Sequence, residues 1–412
     1  MSRCSGYECN AVVKQTAVIG AGAAGCLCAI QIRRSLPNLA VTVYEAGPKP
    51  LAKVAVTGGG RCNFTNTFDG IKSLGQVYPR GVVLMKRVFR TFDNHAVMHW
   101  FETEGVSYVI QEDGCVFPES QDAMQVVRTL AGIMRKEGVQ LRCNCPVASV
   151  ETVDGGFRLD VPGGPVFADR VVVTTGGGAL KLLEPLGLAI EKPVPSLFSF
   201  RIADKSLCSL MGTVAPAASV LLAGTSYRGE GPLLVTDWGL SGPAILRLSS
   251  YAARHLADAG YRGRVLVNWC GLSEVGIRQF LSDAVCANAR KQVGNVPPDG
   301  LNARLFRYLV ARSGLRPNIL WSELGSKGIN RLVSTLTADG YELAGRCRFK
   351  TEFVTCGGVS LSEINLSTLE SRRYPGLYFA GEVLDVDAVT GGFNLQAAWS
   401  TAMAVARSMP DL

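Results

Sequence analysis

"TAVIGAGAAGCLCAIQIRRSLPNLAVTVYE", residues 16–45, decides the fold of this chain. A short apolar run enters three glycines spaced Gly20-x-Gly22-x-x-Gly25; small and apolar residues at helical spacing follow and end in Arg33 and Arg34, which suit a helix C-terminus. "AVTVYE", 40–45, then reads as a second buried strand. Strand, glycine turn, helix and strand predict a βαβ unit with parallel strands. In that setting the glycines read as a dinucleotide-binding turn. Gly20 permits the tight turn, Gly22 lets backbone approach a pyrophosphate where Ala23 and Ala24 open the helix, and Gly25 lets helix lie on strand. Glu45, at the end of the second strand, suits a ribose hydroxyl pair.

A second glycine cluster follows at once. "VTGGGRCNFTN", 56–66, has little side chain to build a core, and its bare backbone suits close approach to a cofactor. Gly58, Gly59, Gly60, Arg61, Asn63 and Asn66 are candidate contacts, together with Gly176 in "VVVTTGGG". Cys62 is a candidate catalytic thiol, with Arg61 placed to lower its pKa if the two side chains meet; the alternative is a small residue packed under the cofactor.

The far end of the chain indicates which dinucleotide. "GLYFAGEVLD", 376–385, is a strand entering Gly381 and Glu382, and "TGGFNLQAAWSTA", 390–402, is a glycine turn opening a helix. A simple nicotinamide-dinucleotide domain needs no such segment two hundred residues after its fold is complete, whereas FAD has a ribityl chain and an isoalloxazine to hold. Glu382 and the helix N-terminus opened by Gly391 and Gly392 therefore suit the flavin side, where they bind ribityl hydroxyls and stabilise negative charge on the ring. One complete dinucleotide fingerprint is visible, so NADH or NADPH is expected as a transient visitor to the substrate pocket.

These motifs together, "VIGAGAAG", "TGGGRCNFTN", "TCGGVSLSEIN" and "PGLYFAGEVLDVDAVTGGFNLQAAWS", resemble the BaiN/RdsA flavoprotein family. Its described members include an enzyme of bile-acid degradation, aminoacetone oxidases and a ribosomal-RNA dihydrouridine synthase. The resemblance implies an α/β protein: a three-layer ββα FAD-binding Rossmann-like domain with inserted β-barrel and small helical domains. It also implies an FAD-dependent oxidoreductase passing hydride through flavin N5. Position by position, the resemblance implies cofactor contacts from Gly381, Glu382, Asp385, Gly391, Gly392, Asn394 and Leu395 on the flavin side; where family members often carry Gly-Arg-Lys this chain has Leu51, Ala52 and Lys53, so only Lys53 transfers. Leu188 stands where a histidine is frequent.

Residues 14–191 are expected to form the N-terminal part of the FAD domain and 353–412 its C-terminal part. Proline-punctuated short strands assign 192–240 and 341–352 to a barrel-like insert, with a basic helical subdomain at 241–340. Charge is concentrated in the insert: residues 241–350 hold 16 Lys/Arg against 7 Asp/Glu, and the remainder 26 against 27. Such a surplus is either a solvated face or a surface for phosphates. Two substrates follow, a uridine C5=C6 bond in ribosomal RNA or a small amine or enone; a non-catalytic flavin-containing RNA-binding protein is the reading from another class.

Thirteen scattered cysteines without a Cys-x-x-Cys pair indicate free thiols. His95 and His99 lie four residues apart without a third ligand, and His255 stands alone, so no metal is expected. The start, "MSRCSGYECN", lacks a charged-then-apolar leader, and no apolar run reaches the roughly 18 residues of a membrane helix. The expectation is a cytoplasmic enzyme.

Overall fold

The computed structural model describes residues 14–347 and 354–411. The chain divides into two compact units: Met1–Pro193 with Gly357–Asp387 and Gly391–Leu412, and Val194–Cys356 with Ala388–Thr390.

In the first unit the strands run in the order Leu377–Phe379, Arg170–Val173, Gln15–Ile19, Ala40–Tyr44, Gln140–Arg142, with all four neighbouring pairs parallel. Val18 lies between Val43 and Val172, and all three are fully buried, as expected of central parallel strands covered on both faces. The Ala23–Ser35 helix of the opening motif is buried along most of its length and packs on the C-terminal helix Phe393–Ser408. Small residues permit that approach: Ala24, Cys28 and Ala29 from one helix, Ala398, Ala402 and Ala406 from the other. Arg33 closes the first helix, donating to the carbonyls of Pro37, Leu39 and Glu137.

The stretches 95–105 and 120–138, whose apolar residues recur at helical spacing before a glycine, form the helices Asn94–Thr103 and Ala123–Lys136, each started by an aspartate whose side chain accepts a backbone N–H. The strand-like segments 139–161 and 165–178 read in the sequence as a meander leading to a buried strand at 171–174. Instead Gln140–Arg142 joins the parallel sheet, while Ser149–Val153, Gly156–Asp160 and Val166–Ala168 make a separate antiparallel sheet. A parallel sheet with helices and this antiparallel layer is the ββα arrangement.

The second unit is built on a closed barrel in the order Phe200–Ile202, Gly239–Ser241, Arg228–Thr236, Val214–Leu222, Gly263–Asn268, Asp339–Arg346. Helices Glu274–Asn288, Ala303–Arg312 and Ser326–Ala338 fall where the helical patterns lie. The expected division at residues 240 and 341 is not what the structure draws. Gly263–Asn268 lies within the supposed helical stretch yet forms barrel wall, with Val265 and Val267 inside. One hydrophobic cluster runs from Val220 and Leu233 of the barrel to Leu305 and Trp321 of the helical part, so the two share a core. Residues 348–352 of the expected barrel segment, and residue 353, lie outside the described residues.

Candidate functional site

The site is built where the parallel strands end. Gly20 N donates to Tyr44 O at 2.7 Å, joining the turn to the second strand. Gly25 packs so closely that a Cβ there would lie 1.9 Å from Gly20 O and 2.6 Å from Thr174 Oγ1. The Thr174 hydroxyl holds the turn from the other side, 2.9 Å from Ile19 O and 2.8 Å from Gly20 O. Gly22 differs from both: a Cβ would meet nothing within 4 Å, and as N-cap it leaves the helix start without a side-chain cap. The exposed amides and the positive helix end suit an anionic group. Glu45 braces the turn, its carboxylate accepting from Ala21 N at 2.8 Å and Gly47 N at 2.7 Å.

The Gly58 cluster is a left-handed run. After Thr57 leaves helical geometry, Gly58, Gly59, Gly60 and Cys62 have φ of 59°, 71°, 84° and 64°. Space beside Gly59 and Gly60 is open, whereas Gly58 is packed against Asn63 and Phe117. Arg61 folds back onto this loop: Nε donates to Gly58 O at 3.2 Å, Nη1 to Gln121 Oε1 at 3.3 Å, and the guanidinium lies 4.2 Å from the Phe117 ring centroid. Cys62 is fully buried, and burial pushes its thiol up to about 12. The expected lowering of the Cys62 pKa by Arg61 is thus corrected: desolvation dominates and the guanidinium is engaged elsewhere. Asn66, another expected contact, is also bonded within the protein. Its amide nitrogen donates to Gly391 O at 3.1 Å and its oxygen accepts from Phe68 N at 2.9 Å, which makes it a brace for the C-terminal glycine turn.

The C-terminal motif folds onto these two clusters. A Cβ on Gly381 would lie 2.9 Å from Ala24 Cβ, so the strand end near the C-terminus abuts the first glycine turn. Gly381 N donates to Thr401 Oγ1 at 2.9 Å, and Asp385 N to Val359 O at 3.0 Å. Glu382 pairs with Lys53 at 2.8 Å, beside Gly176, whose Cβ would sit 3.4 Å from Glu382 Oε2 and 3.8 Å from Lys53 Nζ. Gly391 and Gly392 open the Phe393–Ser408 helix, again without a side-chain cap, with Asn394 and Leu395 in its first turn. A Cβ on Gly392 would lie 2.8 Å from Asn63 Oδ1, which is buried without a hydrogen-bond partner.

Several positioning residues carry no motif signal. Arg80 grips Asp387 through both guanidinium arms, with Nε 2.5 Å from Oδ1, and both side chains are largely buried. Tyr78 donates to Phe393 O at 2.9 Å, Trp399 Nε1 to Phe64 O at 2.9 Å, and Thr65 bonds Gln396. Asp387 stands inside the quoted "DVD", where its acid could have been noticed; nothing near Arg80 announces its partner 307 residues away.

The residues present fit a dinucleotide with a second anionic or polar end. Two buried helices present uncapped N-termini, space is open beside Gly22, Gly59 and Gly60, and Asn63 holds an unpaired acceptor. His95 and His99 lie exposed on the Asn94–Thr103 helix, and among the described residues no group of three or more metal-ligating side chains exists. No helix among the described residues is long and apolar enough to cross a membrane.

Comparison with known proteins places this architecture. The family model described as "HI0933-like protein Rossmann domain" matches residues 14–408. The chain is 31% identical over 405 residues to the ribosomal RNA dihydrouridine synthase of Escherichia coli (strain K12), covering 95% of this chain and 97% of that protein. It is 27% identical over 414 residues to the 3-dehydro-bile acid delta(4,6)-reductase of Clostridium scindens, covering 96% and 98%. Among solved structures, a 3-ketosteroid-delta4-(5alpha)-dehydrogenase from Rhodococcus jostii RHA1 shares the fold, with a TM-score of 0.50 and 13% identity over 98% of this chain and 99% of that one.

Proposed function

The chain belongs to the HI0933-like Rossmann-domain family, and from that premise we propose that it is an FAD-dependent oxidoreductase. The observation that carries this reading is the meeting of sequence-distant motifs at the strand ends: Gly381 against Ala24, and Lys53, Gly176 and Glu382 together. A ligand of that site would touch both ends of the chain, which suits a dinucleotide as extended as FAD. The Ala23–Ser35 helix N-terminus and the open side of Gly22 would take the diphosphate, and Glu45 the adenosine ribose. Lys53, Glu382 and the Phe393–Ser408 helix N-terminus, with Gly391, Gly392, Asn394 and Leu395, would hold the flavin side. Bound FAD supplies two-electron redox chemistry. Cys62 packs beneath the loop as a neutral thiol, and Arg61 shapes that loop through Gly58 and Phe117.

The substrate we propose is a uridine in ribosomal RNA, reduced across C5=C6 with NADH or NADPH as electron donor. Support comes from the name of the Escherichia coli relative and from the charge surplus in residues 241–350. The Clostridium scindens reductase supports a second reading, a small enone metabolite. Nucleoside mass spectrometry of ribosomal RNA from cells with and without the gene separates the two. Loss of dihydrouridine on deletion is expected; unchanged dihydrouridine, with NADPH turnover on a small enone, overturns the RNA reading and leaves the oxidoreductase standing.

A further inference from the structure

Within the barrel unit, two exposed cations sit on one ordered loop and a third reaches over it from a neighbouring helix. The chain after the Glu274–Asn288 helix is stitched to residues 319–322: Val293 N donates to Ile319 O at 2.9 Å, Trp321 N to Lys291 O at 3.1 Å, and Ser322 N to Ala289 O at 3.0 Å. Val293 and Trp321 are fully buried beneath it, which anchors the loop on the core. Arg307, from the Ala303–Arg312 helix, lies over the same loop, with Nε and Nη2 donating to Asn295 Oδ1 at 3.2 and 2.9 Å.

Arg290, Lys291 and Arg307 are exposed, and among the described residues none of them has a carboxylate partner. Glu323, the acid woven into this surface, already holds Arg316 at 3.3 Å and Leu320 N at 3.0 Å. Arg312, Arg278 and Arg264 differ in being paired, Arg312 with Asp204 and Asp339, Arg278 with Glu274 and Arg264 with Glu342. A membrane surface would call for apolar side chains to insert beside the charges. Among the described residues, the large exposed hydrophobics of this unit are Met211, Val214, Tyr227, Leu272 and Val275, none of them on this loop. Three exposed cations without carboxylate partners, around a loop whose backbone is tied to the core, suit the phosphates of a nucleic acid.

We propose that Arg290, Lys291 and Arg307 form the surface by which the barrel unit grips the phosphate backbone of its RNA substrate. This rests on the RNA reading above and assigns the contact to a loop surface of one unit. The test uses the flavin-loaded protein and unmodified ribosomal RNA transcribed in vitro, with filter binding across a salt series. Replacing all three (Arg290→Gln, Lys291→Gln, Arg307→Gln) should lower the log–log salt slope by about 2 to 3 and weaken binding roughly ten- to a hundredfold near 0.1 M salt. Flavin content should stay unchanged. Arg264→Gln and Arg278→Gln, which remove paired cations, should leave the slope alone.

Equal binding by the triple variant, or an equal loss in the paired controls, overturns the proposal. Should the triple variant not fold, Arg290→Gln and Lys291→Gln made singly each lower the slope by about 1, and unchanged slopes in both overturn it. Binding to phosphatidylserine vesicles that needs these three residues, while RNA binding does not, also overturns it in favour of a lipid surface. If the unaltered protein shows no salt-dependent RNA binding, the proposal and the RNA reading fall together. RNA binding lost in the triple variant, without any dihydrouridine formed by the unaltered protein and NADPH, removes the reduction and keeps the surface.

Discussion

Gly22→Ala separates a glycine needed for folding from one needed for a ligand. Gly22 lies at φ −81° and ψ −169°, a conformation that any L-residue adopts, and its Cβ would meet no atom within 4 Å. In the ligand-free protein the substitution should change stability by less than about 1 kcal/mol, because the entropy removed from the unfolded chain is offset by alanine's poor N-cap preference. With the site filled, the same methyl stands between the helix N-terminus and the group it cradles. An extra methyl in a filled contact costs about 1 to 3 kcal/mol, which is roughly a five- to 150-fold rise in Kd. Gly25→Ala is the contrast, because its Cβ would overlap Gly20 O at 1.9 Å and the apoprotein itself should unfold. Thermal melts of apoprotein followed by FAD titration, read by flavin fluorescence, give both numbers. A Gly22→Ala protein that binds FAD as tightly as the parent, or an apoprotein destabilised by more than about 1 kcal/mol, refutes the assignment of that open side to a cofactor.

Three further outcomes follow from the geometry. Lys53→Met removes a largely exposed partner of Glu382, so stability should change by less than about 1 kcal/mol while FAD affinity drops about ten- to a hundredfold; a calorimetric FAD titration checks this. Asp387→Ala strips the carboxylate from buried Arg80 and should cost about 3 to 5 kcal/mol in urea unfolding; a cost under 1 kcal/mol would show the pair to be incidental. Cys62 has its folded pKa raised from 9.0 to about 12, so between those values the unfolded chain loses the proton first and stability declines as pH rises. Below pH 9 its contribution is fully present. Across that window the loss is up to about 1.4 kcal/mol per pH unit, and Cys62→Ser should flatten it in melts taken from pH 8 to 11.

Local spacing made the first glycine turn legible. Gly20, Gly22, Gly25 and Glu45 act within one βαβ unit, so their order along the chain is their order in space. The C-terminal motif was legible for a similar reason, since a strand, a glycine turn and a helix follow one another from Leu377 to Ser408. Contacts that depend on distant packing were not. Thr174 grips the turn from another strand, Arg80 finds Asp387 across most of the chain, and Arg61 turns toward Phe117 because that ring stands on a strand no local pattern connects to it. Gly263–Asn268 was hidden among helical patterns for the same reason: only the closed barrel shows that its alternating valines face inward.

The central claim is that both ends of the chain close around one flavin dinucleotide. Its most direct measurement is the absorbance spectrum of the purified protein, with the released chromophore identified by mass spectrometry. A yellow protein that carries one FAD per chain and is bleached by NADH or NADPH without oxygen is expected. A colourless protein that takes up no FAD on incubation would contradict the claim.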